Sequence, residues 1–220
     1  MFTGAVFSGS TLYIADFAHG SILGVQKGGE QEVIVGVYED KPLKGPNSIV
    51  SDSIGNLFFT DSGPLGETGV HSPTGSLFMI SGGPTGQILK PLCLEKLAYP
   101  SGIAVSPNGN FIYVAEMMTN RVLRFFQQPE GVYHGSVFYQ MSGGVGPTGL
   151  VCDRQGSLYV ACYDTRDSAN DGKVLVVSPS GSLLTTIIVS SGPEISGIAI
   201  SDNLLYITEK STGSIYQASL

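Results

Sequence analysis

Charge is scarce in this chain. Asp, Glu, Lys and Arg make up 13% of its 220 residues, about half the usual share of roughly 25%. Basic residues are scarcer still, 11 against 18 acidic ones, for a net charge of −7. A non-specific nucleic-acid binder needs a basic face from which to release counterions, so nucleic acid is excluded as a partner. Long apolar runs are also missing. The best of them, Val33–Tyr38, is far short of the ~20 residues that span a bilayer, so no membrane insertion is expected. Residues 1–10 carry no basic flank and no apolar stretch, and the expected location is therefore intracellular, in the cytoplasm. Cysteine is limited to Cys93, Cys152 and Cys162, an odd number without a CxxC pair. That argues against a disulfide framework or a structural zinc site and for reduced, mostly buried thiols. His19, His71 and His134 are scattered, with no spacing for zinc or a catalytic triad, and read as surface-loop residues.

Glycine and apolar residues fill the space that charge leaves. Glycine accounts for 30 residues and hydrophobic residues for 42%. Helix interiors avoid glycine, and a disordered chain would be far less apolar, so the balance points to an all-β fold. A repeat gives that fold its form. The segments Leu12–Asp16, Leu57–Asp61, Ile112–Glu116, Leu158–Cys162 and Leu205–Glu209 align on an aromatic at positions 13, 58, 113, 159 and 206, at steps of 45, 55, 46 and 47. Each is preceded by a short turn and another apolar run, such as Ala5–Phe7 or Gly102–Val105. Each is followed by a third, such as Arg121–Phe125, and four copies have a fourth, such as Leu184–Ile188. Four short strands per roughly 45 residues is the period of a β-propeller blade. Only Leu94–Leu97 suggests a helical turn.

A single β-propeller domain over residues 1–220 is therefore expected, with five blade units at about 1–43, 44–98, 99–145, 146–193 and 194–220. The fifth unit stops after three strands, and no spare strand precedes the first. The ring is then either a small five-bladed one with a three-stranded blade or an incomplete one finished by a partner or missing chain, and because unpaired sheet edges invite association, a protein partner or a larger assembly is expected.

The residues that carry the repeat also carry a resemblance. Pro42–Val50 with Gly55–Asp61, Tyr99–Gly109 with Ile112–Glu116, Asn120–Phe125, and Gly146–Leu150 with Gly156–Ala161 are similar to the regucalcin/gluconolactonase family, over about residues 10–220. The likeness shades into the strictosidine-synthase-like propellers, which share the strand seen at Phe59–Ser62. The resemblance implies a six-bladed type of fold. It also implies hydrolysis of lactones or phosphoesters at a divalent cation, held by a glutamate, by asparagines that open inner strands, and by an aspartate. By blade order this chain starts at the family's second blade, so the glutamate has no counterpart.

The residues that open the inner strands here are Thr3, Asn47, Ser101, Thr148 and Ser196. They form the candidate ring at the mouth of a propeller channel, for a metal or a small-molecule ligand. Only Asn47 keeps the implied ligand type, and it reads first as a turn residue after Gly45-Pro46. Where the family's Pro-Asp-Gly supplies ligand and base, this chain has Pro147-Thr148-Gly149. Calcium takes six to eight oxygens, carboxylates among them, and one amide with four hydroxyls supplies no negative charge. Nor is there a group to activate water. Asp16, Asp61, Glu116 and Glu209 close the second strands. With strands of about five residues at ~3.3 Å each, they are expected roughly 17 Å from the ring, capping turns. Ser62 and Cys162 show no adjacent base, and the acidic stretch Asp164–Gly172 lacks the ligand spacing of an EF-hand and reads as a hairpin loop.

The expected function is a non-catalytic propeller scaffold or interaction module without a cofactor. The alternative is a divergent lactonase-type or esterase-type hydrolase using calcium or another divalent metal.

Overall fold

A computed structural model describes residues 1–83, 86–129, 131–166 and 170–220. The fold is all-β and of the β-propeller class, with five blade-type antiparallel sheets. In the first sheet β1 (Phe2–Ser8), β2 (Thr11–Asp16), β3 (Ser21–Val25) and β4 (Gln31–Val35) pair in chain order. A two-residue hairpin, β5 (Val37–Tyr38) with β6 (Lys41–Pro42), leads to the second sheet. That sheet holds β7 (Pro46–Ser51), β8 (Leu57–Asp61), β9 (Gly75–Gly83) and β10 (Gly86–Leu97). The third has β11 (Pro100–Val105), β12 (Phe111–Glu116), β13 (Arg121–Gln127) and β14 (Tyr133–Gln140). The fourth has β15 (Gly146–Cys152), β16 (Leu158–Tyr163), β17 (Gly172–Val177) and β18 (Leu183–Val189). The fifth has only β19 (Ile195–Ser201), β20 (Leu204–Glu209) and β21 (Ser214–Ser219). The helical turn expected at Leu94–Leu97 is instead part of β10. There the register slips between Cys93 and Leu97, and Glu95 takes a left-handed φ of 52°. A bulge, rather than a helix, produces the spacing that looked helical.

The chain divides into two compact units, Met1–Ile103 and Ala104–Leu220, with the division inside β11. In the first, the facing sides of the first two sheets bury Ala15, Ile22, Ile49, Leu57, Phe59 and Phe78. Phe59 and Phe78 stack at 5.3 Å between centroids. β8 is buried along its whole length, because a blade's middle strand has a neighbour on both faces. In the second unit, Tyr113, Val122, Leu158 and Val160 fill the space between the third and fourth sheets. Tyr159, Val174, Leu205 and Ile207 do the same between the fourth and fifth. Alternate residues of one strand thus serve two different cores. Val160 faces one core and Tyr159 the other.

The exposed faces are as informative. In the first unit, Phe7 and Val33 lie on the far face of the first sheet and are 69% and 66% exposed. Register places Phe7 across from Leu12 and Leu12 across from Val25, with Gln31 closing that row, and Leu23 across from Val33, so most of this face is apolar. In the second unit, Ile215 on the last strand is 73% exposed.

The two Gly-Pro pairs explain why glycine is needed where inner strands begin. Gly45 and Gly146 have φ of 153° and 150°, a region that side chains disfavour. A Cβ on Gly146 would also collide with the Met117 carbonyl. Gly146→Ala is expected to cost at least ~2 kcal/mol in urea denaturation. Gly69→Ala, at a position with open space and no positive φ, should change stability by less than ~0.5 kcal/mol.

Candidate functional site

Antiparallel return decides what sits at the start of each inner strand. The second strand of a blade runs back along the first, so its last residue lands beside the first strand's opening residue. Phe2 is paired with Asp16, Pro46 with Asp61, and Ile195 with Glu209. The separation of a full strand length expected for these carboxylates is therefore wrong. They lie one or two residues in register from Thr3, Asn47 and Ser196. The spacing along the chain was correct, but it ignored the reversal of direction at the hairpin.

Proximity does not make them free ligands. Both oxygens of Asp61 accept backbone N–H groups, from Lys44 at 3.0 Å and Gly45 at 2.7 Å. Burial pushes its pKa up, against the pull of those two amides. Asp16 accepts the N–H of His19 and pairs with its Nδ1 at 2.6 Å. His19, expected in a surface loop, is exposed there and is tied to the turn by Asp16. Glu116 accepts from the Thr119 hydroxyl at 2.6 Å and from Arg121 Nε at 2.5 Å. Glu209 takes the N–H of Glu194, Ser211 and Thr212 and the hydroxyls of Ser211 and Thr212. Burial opposes its ionisation, but those hydrogen bonds dominate and hold its pKa at about 2. Turn capping, the role read from the sequence, is what each of these contacts does.

The opening residues themselves are equally engaged. Thr3 Oγ1 donates to the carbonyl of Pro46 at 3.0 Å, and Thr148 Oγ1 donates to that of Ile195 at 2.8 Å. Each contact joins one inner strand to the residue just before the next opening position. Ser196 shares a hydrogen bond of 3.1 Å with Thr208 Oγ1. Ser101 is buried, and its carbonyl accepts Thr60 Oγ1 at 2.6 Å. Within the first unit, then, Thr3, Asn47 and Ser101 lie on neighbouring inner strands, and Thr148 and Ser196 do so in the second.

Asn47 belongs to a small polar cluster that sequence reading did not assemble. Its Nδ2 donates to Ser62 Oγ at 3.1 Å, and Ser62 Oγ donates to the Gly45 carbonyl at 3.3 Å. The phenol of Tyr99 shares hydrogen bonds with both Ser62 and Asn47, while burial raises its pKa. Tyr99 has a left-handed φ of 56° immediately before Pro100, a strained conformation for a bulky residue. The only hint in the sequence was the aromatic preceding Pro100-Ser101-Gly102. Ser62 has hydrogen-bonding neighbours but no imidazole or carboxylate base among them, which leaves it unactivated.

This donor set does not suit a divalent cation. Thr3, Asn47 and Thr148 offer only neutral oxygens, while the Asp61 carboxylate beside Asn47 is spent on two backbone N–H groups and pushed toward its neutral form by burial. Among the described residues, no three His, Cys, Asp or Glu side chains come together as a metal cluster. The stretch Asp164–Gly172 is only partly assessable, because Asp167–Ala169 lie outside the described residues. Arg166 binds Asp164 through Nε and Nη2, at 2.9 and 2.6 Å. All three cysteines are half-buried, and burial pushes the thiols of Cys152 and Cys162 up to about 12. Among the described residues, no helix is long and apolar enough to cross a membrane.

Comparison with known proteins fits this geometry to a family. Residues 1–211 match the profile described as the SMP-30/Gluconolactonase/LRE-like region. Lactonase drp35 of Staphylococcus haemolyticus is 28% identical over 178 residues, covering 78% of this chain and 50% of that protein. The Staphylococcus saprophyticus lactonase drp35 is 28% identical over 184 residues, covering 80% and 52%. The chain thus spans about half the length of these curated relatives. A gluconolactonase from Xanthomonas campestris superposes with a TM-score of 0.79 at 21% identity, over 98% of this chain and 71% of that one. A chain of a solved nidogen/laminin complex gives 0.74 at 18% identity, over 100% and 76%.

Glu209 supplies a pH test. Its folded pKa of about 2 lies below the ordinary 4.5. The stability it contributes is therefore complete above pH 4.5 and is lost as pH falls toward 2. Glu209→Gln should abolish that part of the acid sensitivity. The gap in unfolding free energy between the native chain and the variant should narrow from pH 6 to pH 2, by up to ~3 kcal/mol.

Proposed function

The chain belongs to the SMP-30/gluconolactonase/LRE-like family, and on that footing we propose that it works as a non-catalytic β-propeller module that binds other protein. The observation that carries this reading is the state of the inner-strand openings. Thr3, Asn47 and Thr148 offer only neutral oxygens, and the carboxylates beside the openings, Asp61 and Glu209 among them, cap backbone amides. Placing a divalent ion there would cost its hydration shell without anionic compensation, a penalty of several kcal/mol. The nidogen/laminin chain is a precedent for this fold in a protein complex.

The partner is proposed to cover the apolar far face of the first sheet, where Phe7 and Val33 are exposed. A stable interface buries about 800 Å² per partner, so the partner would extend beyond the roughly 400 Å² that four strands of this length offer. Sedimentation of this 220-residue chain mixed with extract of its source should show it in a species heavier than its own 23.1 kDa, and Phe7→Asp should release it. A monomer at micromolar concentration in native extract would contradict the proposal.

The similarity to the drp35 lactonases favours one second reading, a divergent hydrolase of small lactones or esters that takes calcium or another divalent metal. On the first reading, millimolar calcium or zinc should leave the melting temperature within 1–2 °C and produce no opening of gluconolactone-type substrates. On the second, melting temperature and turnover rise together with metal, and both gains are lost in Asn47→Ala.

A further inference from the structure

The outer strand of a blade has a row of N–H and C=O groups that its own sheet does not use, a template on which another strand can add. Natural edges are blunted with charge, proline or irregular backbone. Three of the four-stranded sheets follow that rule. β4 carries Glu32, and β10 carries Lys90, Pro91, Glu95 and Lys96. β14 carries His134 and, at Gly135, a residue that weakens a strand. The fourth sheet does not. Its outer strand, β18, reads Leu183-Leu184-Thr185-Thr186-Ile187-Ile188-Val189, without charge, proline or glycine. β21, which ends the three-stranded fifth sheet, is uncharged as well, but Ser214, Gln217 and Ser219 make it polar.

β18 is also open. Leu183, Leu184 and Ile188 are 48%, 59% and 52% exposed, whereas Ile187 and Val189 pack against the fifth sheet. A slip in register at Leu184 is confined to the start of the strand, and from Thr185 to Val189 it runs unbroken beside β17. Among the described residues, no strand pairs with its outer side. The strand also matches itself. Antiparallel pairing centred on Thr186 sets Thr186 against Thr186 of a second copy, Thr185 against Ile187, and Leu184 against Ile188. Thr–Thr and apolar pairs both stabilise adjacent strands, and no like charges meet. Lys173 lies one strand inward, paired with Ile188. Seven residues at ~3.4 Å each span roughly 24 Å, which puts such a pairing in the small, weak class of interface, below about 1,200 Å² in total.

We propose that β18 is a self-association edge, on which a second copy of this chain adds its own β18 antiparallel to form a weak two-fold dimer. A two-fold pairing is the commonest closed symmetry of like chains, and it leaves no further β18 edge to extend a fibre. The edge belongs to a different sheet from the face assigned to a partner protein, and the proposal does not rest on that reading.

The test is sedimentation equilibrium of the purified chain at concentrations up to ~0.5 mM, where weak interfaces become populated. A monomer–dimer equilibrium is expected. Thr186→Lys and Thr186→Glu should each weaken it at least tenfold, because each sets two like charges across the two-fold axis. An equimolar mixture of the two variants should restore association to at least the native strength, since opposite charges then face each other. Restored association also shows that both variants fold. If either fails to fold, Leu184→Lys at the exposed end of the strand decides, with the same tenfold loss expected. A monomer at the highest concentration, a dimer unaffected by the Thr186 variants, or a mixture no stronger than the single variants would each overturn the proposal. A dimer dissolved by Phe7→Asp and not by Thr186→Lys would move self-association to the first sheet and overturn it too. So would a chain that stays monomeric and binds a Thr-Val repeat peptide at β18, which would assign the edge to a foreign strand.

Discussion

A buried carboxylate at the end of a blade's second strand is the interaction on which the rest of this structure depends. The hairpin returns that residue to the opening of the first strand, where backbone amides have run out of strand partners. An unpaired buried amide costs ~1–3 kcal/mol, and a buried charge costs more. Each offsets the other's desolvation when they meet, as Asp61 does with Lys44 and Gly45. Glu209 goes further, tying the approach to β19 and the turn into β21 to one side chain. The strand openings are fixed by these contacts, and the opening residues can then face the neighbouring inner strand.

From fixed openings follows the stitch between sheets. Thr3 and Thr148 repeat the same donation, from an opening hydroxyl to the carbonyl just before the next opening. Asn47 breaks the pattern by turning to Ser62. A longer amide in that place reaches a second-strand side chain and leaves room for the Tyr99 phenol. Neutral hydroxyls thus order the inner strands, while the carboxylates beside them are spent on backbone amides.

The blade repeat was legible because its cause is local. Middle strands are buried on both faces and must be apolar without alternation, which is why Leu57–Asp61 and Leu158–Cys162 stand out. The blunt end of the fifth sheet was legible for the same reason. The position of the acidic side chains was misjudged because distance along a chain is not distance across a hairpin. The Asn47–Ser62–Tyr99 cluster was hidden because three turns bring it together, and Tyr99 reaches it only through a left-handed backbone no pattern announces. The bulge at Glu95 deceived for a related reason: an inserted residue shifts a period of two toward one resembling a helix.

The exposed side of the first sheet follows from the same logic as its buried side. A propeller strand is selected to have a neighbour on each face, so its sequence is apolar on both. In the first sheet, Val6, Tyr13 and Ile22 meet the second sheet. Phe7, Leu12 and Val25 make a second apolar surface through their own register. A sheet that had water on that side throughout its history would have polar residues there, as half-exposed antiparallel sheets do. Isolated exposed apolar residues need no explanation, but Phe7 and Val33 stand exposed over a face that is apolar across most of its register. That face is the one the proposed partner would cover, whatever chemistry the inner strands retain.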